Sequence, residues 1–485
     1  MLQVTEEELK NRLRYDNPWW SDTTTQASRF SARRHFFTDF FKLITLTEYN
    51  RAIILLGMRR IGKTVMMRQA IDDLIATGIP RNAILYASLD QPIFTGEPLE
   101  RLVNLFKIEC GHGRETPLYI FFDEIQYLKN WEIHLKVLVD DNPHIRFCAS
   151  GSAAAALKRQ SRESGAGRFT DFFLPGITFA EFCAFRNLKF LNGGNPFNID
   201  EMNDAFIDYI NFGGFPETAI DGNAADNFEF RIGQDITDRV LLRDLPSLYG
   251  INDPQELNRL FVMLAYNSGQ EISLDGLSQK SNVAKNTIRR YLDYLEAAFL
   301  IRRIYRLDQN ARRFQRDYTF KVYLTNTSLR TALFGPLLET DEKILGRIVE
   351  TAYLAQSPFE HITRHLYYVR GRSGVPEVDF VTLDPATQHP ITAIEVKWSD
   401  RIPDHLEDLR GLEQFLLTHK KGNGLKGVIV TTKTKQSRIS LAGLPVICMP
   451  AALLCNAYSA IWGIKDLPQI ISTVPAVPGA ATAAH

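Results

Sequence analysis

The sequence predicts an α/β protein with a parallel-sheet domain near its start, a helical middle and a second α/β domain further on. Three observations carry this. Four apolar runs of strand length, RAIILLG, NAILYASLD, PLYIFFDE and HIRFCASGS, alternate with helical stretches between residues 51 and 152. Continuous apolar strands separated by helices belong to a parallel sheet covered on both faces. Helix-period segments then replace the strands from about residue 180, and strand-like segments return beyond about residue 345 as HLYYVRG, EVDFVTL, ITAIEVKWS and KGVIVTT.

Composition sets the bounds. The 485 residues correspond to about three domains. With 45% hydrophobic and 23% charged residues, large cores are expected and disorder throughout is excluded. A formal net charge of +0 means that any contact with nucleic acid has to come from a local basic patch. The five cysteines, Cys110, Cys148, Cys183, Cys448 and Cys455, form no CxxC pair and no zinc-site spacing, which suits reduced thiols in a cytosol. MLQVTEEELKNRLRYD lacks the apolar core of a signal peptide, and no window approaches ~18 apolar residues. The expected location is cytoplasmic, with no membrane partner.

Residues 1–50 read as a helical and irregular extension with an aromatic cluster at Pro18-Trp19-Trp20. The strand RAIILLG enters GMRRIGKT, which matches G-x-x-x-x-G-K-[ST], and KTVMMRQAIDDLIATG continues as a helix ending at Gly78. Gly57 and Gly62 let backbone N–H groups turn inward around phosphates, and the helix N-terminus faces the same anion. Lys63 would reach the β- and γ-phosphates, and the Thr64 hydroxyl would bind Mg²⁺. In LYIFFDEIQ, Asp123 would hold the metal through water and Glu124 would polarise the attacking water. Ser150 and Ser152 end the fourth run, where a hydroxyl would sense the γ-phosphate or simply cap a polar turn. Arg59 and Arg60 lie in the loop and would touch nucleotide or a partner.

GMRRIGKT, YIFFDEIQYL, FCASGS, GRFTDFFLPGITFAEF and GGFPE, in this order, resemble prokaryotic AAA+-related ATPases of the STAND-like group. The resemblance covers most of the chain. It implies ATP as ligand and an ATPase core followed by a helical lid. Arg168, in the GRF element, is the candidate γ-phosphate-facing arginine, in cis or from a neighbouring copy; the alternative is a surface or salt-bridged arginine. GGFPE is expected to be a lid turn that needs glycine flexibility.

ISLDGLSQKSNVAKNTIRRYLDYLEAAFLIRRI resembles a winged helix-turn-helix. Leu277, Val283, Ile288, Leu292 and Leu295 would face its core, and Lys280, Lys285, Arg289 and Arg290 would lie on or beside the exposed recognition face. Such a module either contacts DNA or docks on protein.

Towards the end of the chain, Asp379 in PEVDF and Glu395 in IEVKW sit in strand-like segments where they would meet on one face, with Lys397 beside Glu395. Two carboxylates can hold Mg²⁺ for phosphodiester attack. Glu350, in the helix-like GRIVETAYLAQ, adds a third acid. The set resembles the PD-(D/E)xK nuclease superfamily, with Asp379 as the motif's aspartate, Glu395 its second acid, Lys397 its lysine and Glu350 its helix glutamate. The proline-aspartate pair is not intact, because Pro376 and Asp379 are separated, and such a fold can persist without cleavage.

The expected architecture is therefore an extension over 1–50, a P-loop ATPase core over 51–180, a helical lid over 181–253, a winged helix over 254–308, a restriction-endonuclease-like α/β domain over 309–468 and a flexible tail over 469–485. The expected function is an ATP-binding and -hydrolysing switch or motor that uses Mg²⁺ and acts with DNA, in genome defence or mobile-element biology, with Mg²⁺-dependent deoxyribonuclease activity as its further possibility. Partners would be DNA, other copies of the chain if Arg168 acts in trans, and other proteins. The alternatives are a regulatory scaffold whose nuclease-like domain only binds nucleic acid or protein, and an ATPase with no nucleic-acid role.

Overall fold

A computed structural model describes residues 4–21, 26–46, 48–151, 167–190, 198–222, 228–307, 319–356, 366–370, 377–419, 425 and 427–460. Ser152, Pro376 and the expected tail lie outside them. The chain divides into two compact units, Met1–Leu174 with Ala297–Phe299, and Pro175–Glu296 with Leu300–His485.

The first unit opens with α1 (Glu6–Asp16), capped by reciprocal hydrogen bonds of Thr5 and Glu8, and α2 (Phe37–Thr45). It continues through β1 (Ala52–Leu56), α3 (Lys63–Ala76), β2 (Ile84–Ser88), α4 (Leu99–Cys110), β3 (Leu118–Asp123), α5 (Trp131–Asp141), β4 (Ile145–Gly151) and β5 (Phe169–Phe173). The sheet order is β2-β3-β4-β1-β5, every pairing parallel. The four apolar runs supply β1 to β4. The fifth strand, FTDFF, was not expected: its polar Thr170 and Asp171 break the apolar run, and its pairing with β1 from Ala52–Phe169 to Leu56–Phe173 makes it a strand.

An edge strand exposes unpaired backbone groups, and β2 is an edge. The extension covers it. Asn17 Oδ1 accepts the Tyr86 N–H at 2.6 Å and its Nδ2 donates to Tyr86 O at 2.8 Å, so one amide side chain stands in for a neighbouring strand. Trp20 Nε1 donates to Ile84 O at 2.7 Å, and its ring stacks on Phe106.

The second unit begins with α6 (Phe179–Phe185), α7 (Ile199–Asp208), α8 (Pro216–Ile220), α9 (Phe228–Gln234), α10 (Leu245–Tyr249) and α11 (Pro254–Tyr266), with π-helical turns at Tyr209–Gly213 and Asp235–Asp244. Then follow β6 (Glu271–Ser273), α12 (Leu274–Ser281), α13 (Lys285–Ala297), β7 (Ile301–Arg306), β8 (Thr319–Leu324), α14 (Ser328–Phe334) and α15 (Glu342–Ala355). The remainder is β9 (Leu366–Arg370), β10 (Glu377–Leu383), β11 (Pro390–Glu395), α16 (Arg410–His419), β12 (Gly427–Thr432), β13 (Ser437–Leu441), β14 (Leu444–Pro450) and α17 (Ala451–Ala460). One sheet runs β13-β14-β12-β11-β10-β9-β7-β8-β6. β9, β10 and β11 are antiparallel neighbours; β11 and β12 are parallel, with α16 in the connection.

The expected divisions at 253/254 and 308/309 fall inside this unit. The parallel pairing of β7 with β9 makes the hairpin after α13 part of the larger sheet. The expected lid helices share a core with that sheet: Phe179, Phe206 and Tyr209 join Val349, Tyr353, Phe380, Ile394, Ile429 and Leu454. Leu409, Leu412, Phe415 and Leu416 close the opposite face over Val378, Ala393 and Val430. The aromatic stripe of α6 and α7 needs an apolar partner, and one face of β10 to β14 offers it.

Two smaller expectations resolve here. Leu277, Val283, Ile288, Leu292 and Leu295 are all buried, as their helical spacing requires. GGFPE keeps its glycine for space, not flexibility. Gly214 has an ordinary helical φ of −74°, but a Cβ there would lie 1.8 Å from Asn326 Oδ1, and Asn326 Nδ2 donates to Gly214 O at 2.8 Å.

Replacing Asn17 by alanine leaves the Tyr86 amide and carbonyl without partners inside the protein. The expected cost is about 1–3 kcal/mol, read as a lower midpoint in urea unfolding of the first unit.

Candidate functional site

The phosphate-binding loop leaves β1 at Gly57 and enters α3 at Lys63. Two glycines have separate reasons. Gly62 adopts the left-handed φ of +94°. At Gly57 a Cβ would meet Ile61 Cδ1 at 2.4 Å and Leu174 O at 2.5 Å, so only a bare backbone fits the turn. Arg34, from the extension, donates from Nη1 to Ile61 O at 2.9 Å and holds the loop from outside.

Lys63 is buried, and its Nζ donates to Gly57 O at 3.1 Å and Met58 O at 3.0 Å. Burial pushes its pKa down, opposed by the charges of Glu124 and Asp123. The loop thus keeps a desolvated cation aimed at its own centre.

The parallel register brings the carboxyl ends of β1, β3 and β4 side by side, and the polar residues there converge on Asp123. Thr64 Oγ1 donates to Asp123 Oδ2 at 2.6 Å, Tyr86 Oη donates to the same oxygen at 2.7 Å, and Ser150 Oγ donates to Oδ1. Ser150 also accepts the Glu124 N–H at 3.0 Å. Glu124 itself stands at φ +53°, ψ +47°, a conformation that costs a non-glycine residue energy and marks a position fixed by its surroundings. The Gln126 amide donates to its carboxylate.

These residues fit a nucleotide and its Mg²⁺. At Gly57 the loop has space only for backbone, its lysine lacks an acidic partner at bonding distance, and a hydroxyl already touches the buried acid. Lys63 and the loop amides would hold phosphates; Thr64 and Asp123 would hold the metal. Bound there, Mg²⁺ supplies charge neutralisation at the phosphates. Arg59 is half-buried and Arg60 exposed within the loop.

Arg168 lies elsewhere. It precedes β5, where its carbonyl accepts the Ala52 N–H at 2.9 Å, and its Nε pairs with Asp140. That is the amino-terminal end of β1, about 13 Å from the loop at ~3.3 Å per residue. The salt-bridged alternative describes its position, and a cis contact with the nucleotide site is not formed. Tyr86 and Arg34 were missed because a tyrosine inside an apolar strand and an arginine in an irregular segment carry no motif.

A second polar cluster lies in the second unit, along an open cleft of about 490 Å³. The register that pairs Phe380 with Ile394 carries Asp379 and Glu395 onto neighbouring strands, as their alternation predicts. Asp379 Oδ2 accepts the Val396 N–H at 2.9 Å, and Lys397 Nζ donates to Glu395 Oε1 at 2.6 Å. Glu350 reaches the cluster from α15. Burial, then the charge of Asp379, raises both Glu350 and Glu395 to about 8. Four expected residues therefore meet.

A fifth was not expected. Lys321, on β8, is buried with Nζ 3.2 Å from Glu350 Oε2 and 3.2 Å from Asp379 Oδ1, and it pairs with Glu377 as well. Tyr323 Oη donates to Glu350 Oε2 at 2.6 Å. The signal was a lone lysine in the otherwise apolar TFKVYL, where a solvated face is the ordinary reading. Among the described residues, no group of three or more His, Cys, Asp or Glu could hold a metal ion. The Glu395 side nevertheless fits one cation, because Glu395 Oε2 is buried with no hydrogen-bond partner. Asp379 and Glu395 would hold it, and a divalent ion there would supply Lewis acidity.

The basic set Lys280, Lys285, Arg289 and Arg290 is exposed on α12 and α13, with Lys285 paired to Asp275. Among the described residues, no helix is long and apolar enough to cross a membrane.

Comparison with known proteins places part of this chain. Residues 49–183 match a family model described as an AAA domain, and residues 203–340 match one described as a domain of unknown function. An uncharacterized protein of Haemophilus influenzae is 26% identical over 355 residues, 71% of this chain and 80% of that protein. An uncharacterized protein of Methanocaldococcus jannaschii is 26% identical over 258 residues, 52% of this chain and 56% of that protein. Among solved structures, the replication initiator DnaA bound to AMPPCP and single-stranded DNA aligns with a TM-score of 0.28 at 14% identity, over 54% of this chain and 86% of that one. The family match and the loop geometry agree that the first unit carries an AAA-type P-loop domain.

Tyr86→Phe removes one of three hydroxyls on Asp123. ATP turnover is expected to fall about tenfold, equivalent to roughly 1.4 kcal/mol, with nucleotide affinity unchanged, in a steady-state assay titrated with Mg²⁺.

The raised carboxyls predict a pH dependence. Burial makes Glu350 and Glu395 release their protons at higher pH in the folded protein than in the unfolded chain. The stability they contribute is complete below about pH 4.5 and is lost as pH rises through about 8. The melting temperature of the second unit should fall from pH 5 to pH 8, and Glu350→Gln should make that fall shallower.

Proposed function

We propose that this chain is an ATP-hydrolysing switch that acts on DNA through its second unit. The observation that carries the ATPase part is the 2.6 Å hydrogen bond from Thr64 to Asp123 beside a buried, loop-facing Lys63. It joins the loop that holds phosphates to the acid that holds Mg²⁺. Glu124 is the residue that polarises the attacking water, and the Ser150 contact to its amide sets its position. If Arg168 has a catalytic role, it acts from a neighbouring copy.

The DNA part is supported by two features of the second unit. The order α11, β6, α12, α13, β7, β8 supports a winged-helix reading, with α13 presenting exposed Arg289 and Arg290. Beyond it, Glu350 on α15 and Asp379, Glu395 and Lys397 on or beside β10 and β11 line one cleft, which supports the PD-(D/E)xK reading. A second reading, a regulatory scaffold whose nuclease-like site binds without cutting, is favoured by Lys321, which neutralises the acids from within.

Lys63→Ala should abolish ATP binding, whereas Glu124→Gln should bind ATP and lose at least about 10²-fold in turnover; equal loss of binding in both variants would sink the assignment of Glu124. Arg289→Ala with Arg290→Ala should weaken DNA binding uniformly across sequences and lower the salt slope by about 1 per residue. A chain whose ATP turnover ignores DNA, and which shows no DNA shift at low salt, is an ATPase without a nucleic-acid role. Metal-dependent plasmid nicking lost in Asp379→Ala supports cutting, and binding without nicking supports the scaffold.

A further inference from the structure

The acid cluster of the second unit has two sides with different partners. On one side, Lys321 Nζ reaches the carboxylates of Glu350, Asp379 and Glu377, and its side chain is 3% exposed. Glu350 Oε2 accepts from both Lys321 and Tyr323. On the other side, Glu395 Oε1 accepts from Lys397, while Glu395 Oε2 is buried and unpartnered.

An ammonium has three N–H donors, and here three carboxylates surround it. Burying those acids without a countercharge would be costly, and burying the lysine without them equally so. The ammonium therefore has the position and the charge of a cation bound between Glu350 and Asp379. We propose that Lys321 is a built-in cation that takes the place of one metal ion on the Glu350 side, so that the cluster accepts a single divalent cation, at Glu395 and Asp379. This rests on the nuclease-like reading of the second unit and specifies how that site is loaded.

Three consequences distinguish it from an ordinary buried ion pair. Glu350 is a partner of Lys321 and not a metal ligand, contrary to the expectation from sequence. A two-metal clamp on a phosphodiester is closed to this site, and one metal with Lys397 beside it is what remains. The lysine also comes from β8, which pairs with β6 and β7, and not from the strands that bear the acids. The hairpin following α13 thus completes the acid site.

The test is Mn²⁺ binding to the nucleotide-free full chain, measured by the electron paramagnetic resonance of free Mn²⁺. Thr64→Ala is included throughout to remove the hydroxyl of the phosphate-binding loop. One Mn²⁺ per chain is expected, lost in Glu395→Gln and kept within about threefold in affinity in Glu350→Gln. Lys321→Met should raise the number to two, and Lys321→Arg should leave it at one. Two ions in the parent chain, loss of the ion in Glu350→Gln, or one ion in folded Lys321→Met overturns the assignment of Lys321. Absence of Mn²⁺ from the parent chain and from folded Lys321→Met defeats the nuclease-like reading itself. If Lys321→Met does not fold, the Glu350→Gln and Glu395→Gln pair decides the outcome.

Discussion

Charge buried away from water has to be paired or hydrogen-bonded, and this constraint shapes both sites. In the first unit the buried Asp123 carboxylate draws hydroxyls from α3, β2 and β4, so Thr64, Tyr86 and Ser150 are fixed at one point. In the second unit Lys321 draws three carboxylates from α15 and β10. Each cluster ties together segments far apart in sequence. Each also leaves a group ready for a ligand: Lys63 in the loop, and the unpartnered oxygen of Glu395 in the cleft.

The first fifty residues belong to the nucleotide unit in a structural sense. Asn17 completes the edge of β2 at Tyr86, and Tyr86 in turn bonds Asp123. Arg34 holds the loop carbonyl of Ile61. The extension is therefore connected to the chemistry through two short hydrogen-bonded routes. An edge strand left open would be free to pair elsewhere and would hold Tyr86 less firmly.

The second unit merges what the sequence separates. Helices α6 and α7 and the strands β7, β8, β10, β11, β12 and β14 share one core, because α6 and α7 find their apolar partner on that face of the sheet and because β7 pairs with β9. The basic helix α13 and the acid cluster then belong to the same unit. The two are linked in structure by β8, whose Lys321 lies in the cluster. The AAA-type domain supplies the nucleotide, and in the proposed switch this merged body is its output.

What was legible in the sequence was local. Strand-length apolar runs predicted β1 to β4; helical spacing predicted the buried Leu277, Ile288, Leu292 and Leu295; the loop motif named Lys63 and Thr64; and period-two alternation placed Asp379 beside Glu395. Each rests on a rule that acts over a few residues. The sequence by itself determined β1 to β4, the loop and the acids. Only the tertiary structure decided that β5 is a strand, that Gly214 is needed for space against Asn326, that Arg168 stands at the far end of β1, and that Tyr86 and Lys321 belong to the sites. The reason is physical: a side chain's partners are set by strand order and packing between distant segments, and no local pattern encodes which buried charge will meet which.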